Sequence, residues 1–229
     1  DLKQVNYHLK NNCCIKWIGI DNQDVDILAK NIMVSGKGTT FDICFKGDKT
    51  SYHFETKLLG KHNVYNILAS VALGKEFGIE ISLLQQAVKG VKVIEHRLEL
   101  KKIGNFYQID DAYNSNPVGA KNALEVLKLM DGTKIVVTPG MVELGVKEQE
   151  LNEEFGKEIA EVASKVILIG KKRTKPIKDG LKAACYKEEN IIVLNDVREA
   201  YPYIQSLKKP NEELYALFEN DLPDSYDEN

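Results

Sequence analysis

A regular alternation of short apolar segments and amphipathic segments, between residues 106 and 218, constrains the fold more than any other feature of the sequence. Residues 134–138 show no polar alternation, which is typical of a strand that is buried on both faces. Strands that alternate with helices form a parallel sheet with right-handed crossovers, so the pattern predicts a Rossmann-like α/β domain. The predicted strands span residues 106–110, 134–138, 165–169, 191–194 and 214–218, and the predicted helices span 117–130, 147–163, 174–185 and 197–207.

A polar turn connects the first predicted strand of this domain to its first helix. Asp110 and Asp111 end the strand, Asn116 is suited to cap the helix, and Pro117 suits the first helical position. Carboxylates, amides and a helix N-terminus thus meet at the carboxyl end of a strand, where ligands bind in open α/β sheets. The free N–H groups and the dipole of the helix favour a phosphate. A capped polar loop without a ligand is the alternative interpretation.

The segment before residue 96 has a less regular pattern. Residues 15–20 predict a buried strand, and residues 40–45 and 51–56 predict a hairpin connected around residues 46–49. We expect these strands to lie at the edge of a larger sheet, because the segment is small for a domain and is typical of the second half of one. Two helices are predicted over residues 60–78 and 81–88, and a link over residues 90–100.

Polar residues at the start of the first helix and in the link are candidates for nucleotide contacts. Asn63 and Asn66 are three positions apart and share a face, with His62 beside them. Amides offer the donor and the acceptor that a purine edge requires, although Asn in a first helical turn most often serves as a cap. In the link, the planar guanidinium of Arg97 suits bidentate phosphate contacts, and a solvated hinge is the alternative interpretation.

Composition and missing motifs exclude several functions. The chain has 229 residues, 43% of them hydrophobic, and a net charge of −3, which argues against general binding to nucleic acid or to a membrane surface. No apolar run is long enough to span a membrane, and the four cysteines form no C-x-x-C pair, so we expect reduced thiols in a cytoplasmic protein. No dinucleotide fingerprint, complete phosphate-binding loop, hydrolase motif or zinc spacing occurs, and residues 36–40 match a phosphate-binding loop only faintly. The sequence therefore predicts no metal site and no complete catalytic constellation.

Four segments occur in an order that resembles the Mur ligase family. They are GKHNVYNILASVAL at residues 60–73, EHRLEL at 95–100, IDDAYNSNP at 109–117 and PGMVELG at 139–145. The sequence is most similar to the UDP-N-acetylmuramoyl-tripeptide–D-alanyl-D-alanine ligase branch, over residues 15 to 220 or so. One departure stands at residues 138–141, where this chain has TPGM and the branch more usually has L-G-D-M.

The resemblance implies an ATP-dependent amide ligase. In this family ATP phosphorylates a carboxylate, and an amine attacks the acyl phosphate. The implied domains are residues 1–95, the last part of a central ATP-binding α/β domain, and residues 96–229, a complete Rossmann-like C-terminal domain. The phosphate-binding loop and the Mg²⁺ ligands of the family are then expected before Asp1, so the chain is expected to be an inactive fragment of a larger protein.

The resemblance also implies roles for individual residues and partners. The adenine is expected at His62, Asn63 and Asn66, the ATP phosphates at Arg97 and the ribose hydroxyls at Asp111, whereas Asp110 is expected to be structural. Tyr113, Asn114 and Asn116 are expected near the incoming amine or the phosphate. The implied partners are ATP, Mg²⁺, a UDP-MurNAc-peptide and D-Ala-D-Ala or a similar amine. A Mur-like ligase for another acceptor or amine, a folylpolyglutamate synthase relative, and a non-catalytic nucleotide-binding module are the alternatives.

Overall fold

The computed structural model describes residues 15–22 and 24–221, which form a four-stranded sheet and a six-stranded sheet with helices packed on them. The predicted α/β class is confirmed. The strands are β1 (Ile18–Gly19), β2 (Ile27–Ser35), β3 (Gly38–Phe45), β4 (Ser51–Thr56), β5 (Glu99–Ile103), β6 (Phe106–Asp111), β7 (Thr133–Thr138), β8 (Lys165–Ile169), β9 (Ile191–Leu194) and β10 (Leu214–Glu219). The α-helices are α1 (Lys61–Glu76), α2 (Ile81–Lys89), α3 (Pro117–Lys128), α4 (Glu148–Ala160), α5 (Lys175–Ala183) and α6 (Ala200–Ser206).

The four-stranded sheet has the order β1-β2-β3-β4 and packs against α1 and α2. The predicted hairpin is confirmed: β3 pairs antiparallel with β4, and alternate residues of both strands, such as Phe41 and Phe54, are fully buried. Their rings lie 5.9 Å apart between centroids, in a stacked arrangement. Burial of large aromatic rings of this kind dominates the stability of a small core.

One expectation for this region is wrong. The apolar run at residues 15–20 is a strand only at Ile18–Gly19, and Ile15 is 45% exposed. The ladder is short because the side chain of Asp26 accepts the N–H of Trp17, which a longer strand would use for pairing. Within residues 15–22 and 24–221, β1 to β4 form a sheet of four strands that includes the unpredicted strand β2, and the larger sheet stays a prediction.

Residues 36–40 form the connection from β2 into β3 and its first residues. Gly38 has φ of 120°, and a Cβ built on it would lie 2.1 Å from the carbonyl oxygen of Thr56, so only glycine fits this close approach. Thr39 is buried and donates its hydroxyl to the carbonyl of Leu58. The backbone here pairs with neighbouring strands and does not form a phosphate-binding loop.

The six-stranded sheet has the order β5-β6-β10-β7-β8-β9. β6 to β10 are parallel, as predicted, whereas β5 is an unpredicted antiparallel edge strand paired with β6. The last strand, β10, lies between β6 and β7, so it occupies the middle of the sheet. α3, α4 and α5 contribute to the core on one face, and α6 packs on the other face.

Candidate functional site

The carboxyl ends of β6, β10 and β7 lie side by side and bring polar residues from distant parts of the sequence together. Asp111 of β6 is the register partner of Glu219 of β10, and Thr138 ends β7 on the other side of β10. Asn220 extends this contact, because its N–H donates to the carbonyl of Asp111 at 3.2 Å. Ligands bind at this edge in open α/β sheets, so these strand ends define the candidate site.

Asp110 and Asp111 point to opposite faces of the sheet, because neighbouring residues of a strand alternate. Asp110 is 4% exposed and contacts the Nδ1 atom of His96 and the Nζ atom of Lys101, each at 3.0 Å. Its charge is therefore balanced on the α6 side of the sheet. Asp111 faces α3 and is half-buried, which leaves it accessible at the strand end.

The carboxylate of Asp111 is held by the link that precedes β5. Its Oδ1 atom accepts the N–H of Leu98 at 3.1 Å. Burial raises the pKa of Asp111, while the hydrogen bond from Leu98 and the charge of Arg97 oppose that rise. The carboxylate therefore lies beside the guanidinium of Arg97 at the carboxyl end of β6.

Arg97 and Tyr113 form the second part of this cluster. The guanidinium carbon of Arg97 lies 4.3 Å from the centre of the Tyr113 ring, in a cation–π contact. The N–H of Tyr113 also donates to the carbonyl of His96 at 3.3 Å. His96 and Leu98 have φ of 59° and 48°, a left-handed conformation that non-glycine residues adopt at a cost. The link is therefore bent tightly onto the turn after β6 and carries Arg97 with it.

The polar turn has one buried contact and one helix cap. Asn116 accepts the N–H of Gly119 at 3.0 Å, which confirms the predicted cap of α3. Asn114 and Tyr113 are exposed to solvent. Ser115, which the sequence did not single out, is buried and donates its hydroxyl to the Oε1 atom of Glu219 at 2.7 Å.

Glu219 is a functional candidate that the sequence analysis missed. It is 1% exposed, and its Oε2 atom has no hydrogen-bond partner among the described residues. Burial first, and the neighbouring charge of Asp111 second, raise the pKa of Glu219 to about 8. In the sequence, Glu219 is marked only by its position directly after the apolar run at residues 214–218. The central position of β10 in the sheet is what brings it into the site.

The turn after β7, where the sequence departs from the branch pattern, is closed by its own hydrogen bonds. Gly140 has φ of 89°, and its N–H donates to the hydroxyl of Thr138. Asn152 of α4 bonds both the N–H and the carbonyl of Met141, at 2.9 and 2.8 Å. Asn220 donates to the carbonyl of Gly140 at 2.7 Å. The turn is thus a rigid wall of the candidate site.

The residues expected at the adenine lie elsewhere. His62 begins α1 and faces a shallow groove that it shares with Asn122 and Val126 of α3, and burial lowers its pKa. Asn63 donates its amide to the carbonyl of Leu59 at 2.8 Å, and Asn66 is exposed. The groove lies along the carboxyl half of α3, whereas Asp111 precedes the opposite end of this 12-residue helix, which is about 18 Å long.

Two absences hold for the part of the chain that the structure describes. No group of three His, Cys, Asp or Glu side chains is arranged to hold a metal ion there. No helix of that part is both long and apolar enough to cross a lipid bilayer.

Comparison with known protein families identifies the class. The profile described as "Mur ligase, glutamate ligase domain" matches residues 96–214, and the profile of the "Mur ligase middle domain" matches residues 1–74. The chain therefore belongs to the Mur ligase family.

Relatives from several branches of the family are similar to the chain. The UDP-N-acetylmuramoyl-tripeptide–D-alanyl-D-alanine ligase of Bacillus subtilis is 34% identical over 148 residues, which cover 63% of this chain and 31% of that relative. A UDP-N-acetylmuramate–L-alanine ligase of a Hydrogenobaculum species is 37% identical over 103 residues, or 45% of this chain and 23% of that relative. The chain spans about a third of the length of the first of these relatives and less of the second.

Solved structures show the same fold. MurF from Acinetobacter baumannii aligns with a TM-score of 0.71 at 21% identity, over 87% of this chain and 43% of that chain. MurF from Thermotoga maritima in complex with ADP aligns with a TM-score of 0.71 at 19% identity, over 90% of this chain and 45% of that chain.

Proposed function

We propose that this chain is the C-terminal part of a cytoplasmic, ATP-dependent Mur-type amide ligase that adds D-Ala-D-Ala to UDP-MurNAc-tripeptide in peptidoglycan synthesis. The observation that carries the proposal is the cluster of Arg97, Asp111 and Tyr113 at the carboxyl end of β6, next to the N-terminus of α3. A cation, an accessible carboxylate and a helix N-terminus are the groups that suit a nucleotide. We place the boundary between the two parts of the ligase at residues 95 and 96.

In the proposed reaction the terminal phosphoryl group of ATP passes to the acceptor carboxylate. The amine then attacks the acyl carbon, the new C–N bond forms, and the C–O bond to phosphate breaks. Arg97 would bind the ATP phosphates, and Asp111 would accept hydrogen bonds from the ribose hydroxyls. Tyr113, Asn114 and Asn116 would lie near the amine or the phosphate, where the exposure of Tyr113 and Asn114 leaves them free to contact a substrate.

The proposed adenine contacts at His62, Asn63 and Asn66 belong to the other unit of the chain. Because His62 lies beside the carboxyl half of α3, away from Asp111, we propose that the two units move relative to each other so that one nucleotide contacts both groups. Such closure excludes water from an acyl phosphate that water would otherwise hydrolyse. The two-part site is therefore consistent with a ligase that closes on its substrates.

Mg²⁺, when bound, would offset the charge that builds on the transferring phosphoryl group. The described residues offer no cluster of ligands for it, so we derive no step from a metal ion and propose that its ligands lie outside this sequence.

The amine is the open part of the proposal, because ligases that by name add L-alanine and 2,6-diaminopimelate are also similar to the chain. The TPGM turn favours a different amine or acceptor as the second candidate, since it lacks the usual acidic residue at the wall of the site. A non-catalytic nucleotide-binding module is the third candidate.

Phosphate release by the protein in its full natural length tests these candidates. The assay supplies ATP, Mg²⁺ and UDP-MurNAc-tripeptide, with and without D-Ala-D-Ala. Phosphate release that depends on the dipeptide supports the proposal. Release only with another amine supports a Mur-type ligase with a different amine substrate. No release with any amine favours the binding module. Residues 1–229 alone are expected to show no turnover, and measurable turnover by this piece would contradict its proposed status as a fragment.

A further inference from the structure

Glu219 and Asp111 form a pair of carboxyl groups on neighbouring strands. They are register partners in parallel strands, whose backbones lie about 4.8 Å apart. Both side chains project to the α3 face, and the negative charge of Asp111 acts on the carboxyl group of Glu219. The hydroxyl of Ser115 fixes one oxygen of Glu219, which leaves the Oε2 atom to complete the pair.

A proton is needed to satisfy this arrangement. Two carboxylates only accept hydrogen bonds, and a buried charge without a partner is costly. A proton on the Oε2 atom of Glu219 turns that atom into a donor to Asp111. It also removes the like charge between the two side chains.

The surroundings place the proton on Glu219. Asp111 accepts the N–H of Leu98 and lies near Arg97, and both contacts favour its charged form. Glu219 is 1% exposed, and among residues 15–22 and 24–221 its side chain accepts a hydrogen bond only from the neutral hydroxyl of Ser115, while Thr138, on the β7 side, is not titratable. Burial and Asp111 raise the pKa of Glu219 to about 8, which agrees with a neutral side chain at pH 7. Asp110 opposes ionisation of Asp111 from the adjacent position, but less strongly than Arg97 favours it.

We propose that Glu219 holds the shared proton of this pair and is a positioning residue, which orients the Asp111 carboxylate toward the ribose hydroxyls of a nucleotide. The positioning role of Glu219 rests on the proposed function, because it requires that Asp111 contacts a nucleotide. The shared proton does not depend on the proposed function. Loss of the proton would place two negative charges side by side and release the orientation of Asp111.

Infrared difference spectra between the wild-type full-length protein and its variants test directly whether Glu219 is protonated. At pH 7 we expect the carbonyl band of a protonated carboxylic acid, which disappears in Glu219→Gln and remains in Glu154→Gln, an exposed control on α4. Absence of the band from the wild-type protein, or its survival in Glu219→Gln, overturns the shared proton. No nucleotide is present in this measurement, so its result does not depend on the proposed function.

The KM for ATP tests the positioning role. Glu219→Leu should raise KM about tenfold with little change in kcat, because a hydrogen bond to a charged group is lost. Glu219→Gln should instead have a KM for ATP close to the wild-type value, since its amide donates to Asp111 and its oxygen still accepts from Ser115. The wild-type KM should rise above about pH 8, and that of Glu219→Gln should stay flat.

Each outcome of this second test has a separate meaning. If the KM for ATP rises equally at alkaline pH in the wild type and in Glu219→Gln, the positioning role is overturned, even where the infrared band is present. Failure of Glu219→Gln to restore KM, with native circular dichroism, also overturns it. An unchanged KM in Asp111→Asn instead contradicts the proposed nucleotide contact, so the two failures are distinguishable.

Discussion

Asn152 offers the sharpest test of how the candidate site is built. Its side chain is 3% exposed and accepts the N–H of Met141 while it donates to the carbonyls of Met141 and Glu148. Asn152→Ala leaves both backbone groups of Met141 unpaired in a buried turn. The carbonyl of Glu148 lies in the first turn of α4, so we do not count it as lost.

The expected cost follows from those two groups. Each buried, unsatisfied polar group costs about 1–3 kcal/mol, and partial entry of water lowers the sum. We therefore expect Asn152→Ala to reduce the free energy of unfolding by about 3 kcal/mol. Gln149→Ala, which removes an exposed amide from the same helix, should change it by less than about 0.5 kcal/mol.

Urea unfolding followed by far-ultraviolet circular dichroism measures the global loss, and hydrogen exchange at the amide of Met141 measures the local one. The exchange of that amide should accelerate in Asn152→Ala and stay slow in Gln149→Ala. A loss below about 1 kcal/mol together with an unchanged exchange rate would refute the conclusion that Asn152 closes the turn.

Three further predictions address charge at the site. Arg97→Ala in the full-length protein should lower kcat/KM for ATP by about a hundredfold while circular dichroism stays native, because the proposed charge-assisted phosphate contact would be lost. Near-normal turnover would contradict the proposed role of Arg97. Asp111→Asn should raise the KM for ATP about tenfold, whereas Asp131→Asn, exposed before β7 at the other end of the sheet, should not. The pKa of Glu219 is raised from 4.5 to about 8, so the native state binds the extra proton between these values and stability should fall as pH rises through that window. Urea unfolding at about pH 5, 7 and 9 should show this slope in the wild type and a weaker one in Glu219→Gln.

The regular part of the fold was predictable because buried parallel strands are continuous apolar runs. β8 and β9 have the predicted bounds, and β6, β7 and β10 differ from prediction by one residue at one end. β5 was missed because its sequence, ELKKI, is charged and half-buried at a sheet edge, and so it matches a solvated link. The helix predicted over residues 197–207 is divided into a 3₁₀ turn at Val197–Glu199 and α6, a distinction that local periodicity does not carry.

The candidate site was predictable only where it is local in sequence. The turn after β6, with its cap at Asn116, follows from residue preferences and is confirmed. Strand order depends on long-range pairing, so the sequence alone did not bring the end of β10 beside the end of β6. For that reason the sequence alone did not identify Glu219 or Ser115 as residues of the site. The resemblance implied different roles for Asp110 and Asp111, but the contacts of each side chain depend on β5, β10 and the link.

The link also decides which unit carries which part of the proposed nucleotide site. Arg97 lies between two residues in left-handed conformations, and both neighbours are bonded to the six-stranded unit, His96 through Tyr113 and Leu98 through Asp111. Arg97 is thereby attached to the same unit as Asp111, although it precedes β5 in the sequence. The proposed phosphate and ribose contacts therefore belong to one unit, whereas His62, Asn63 and Asn66, the proposed adenine contacts, belong to the four-stranded unit. In the proposed ligase, the nucleotide itself would thus connect the two units, and its binding energy would offset the cost of bringing them together.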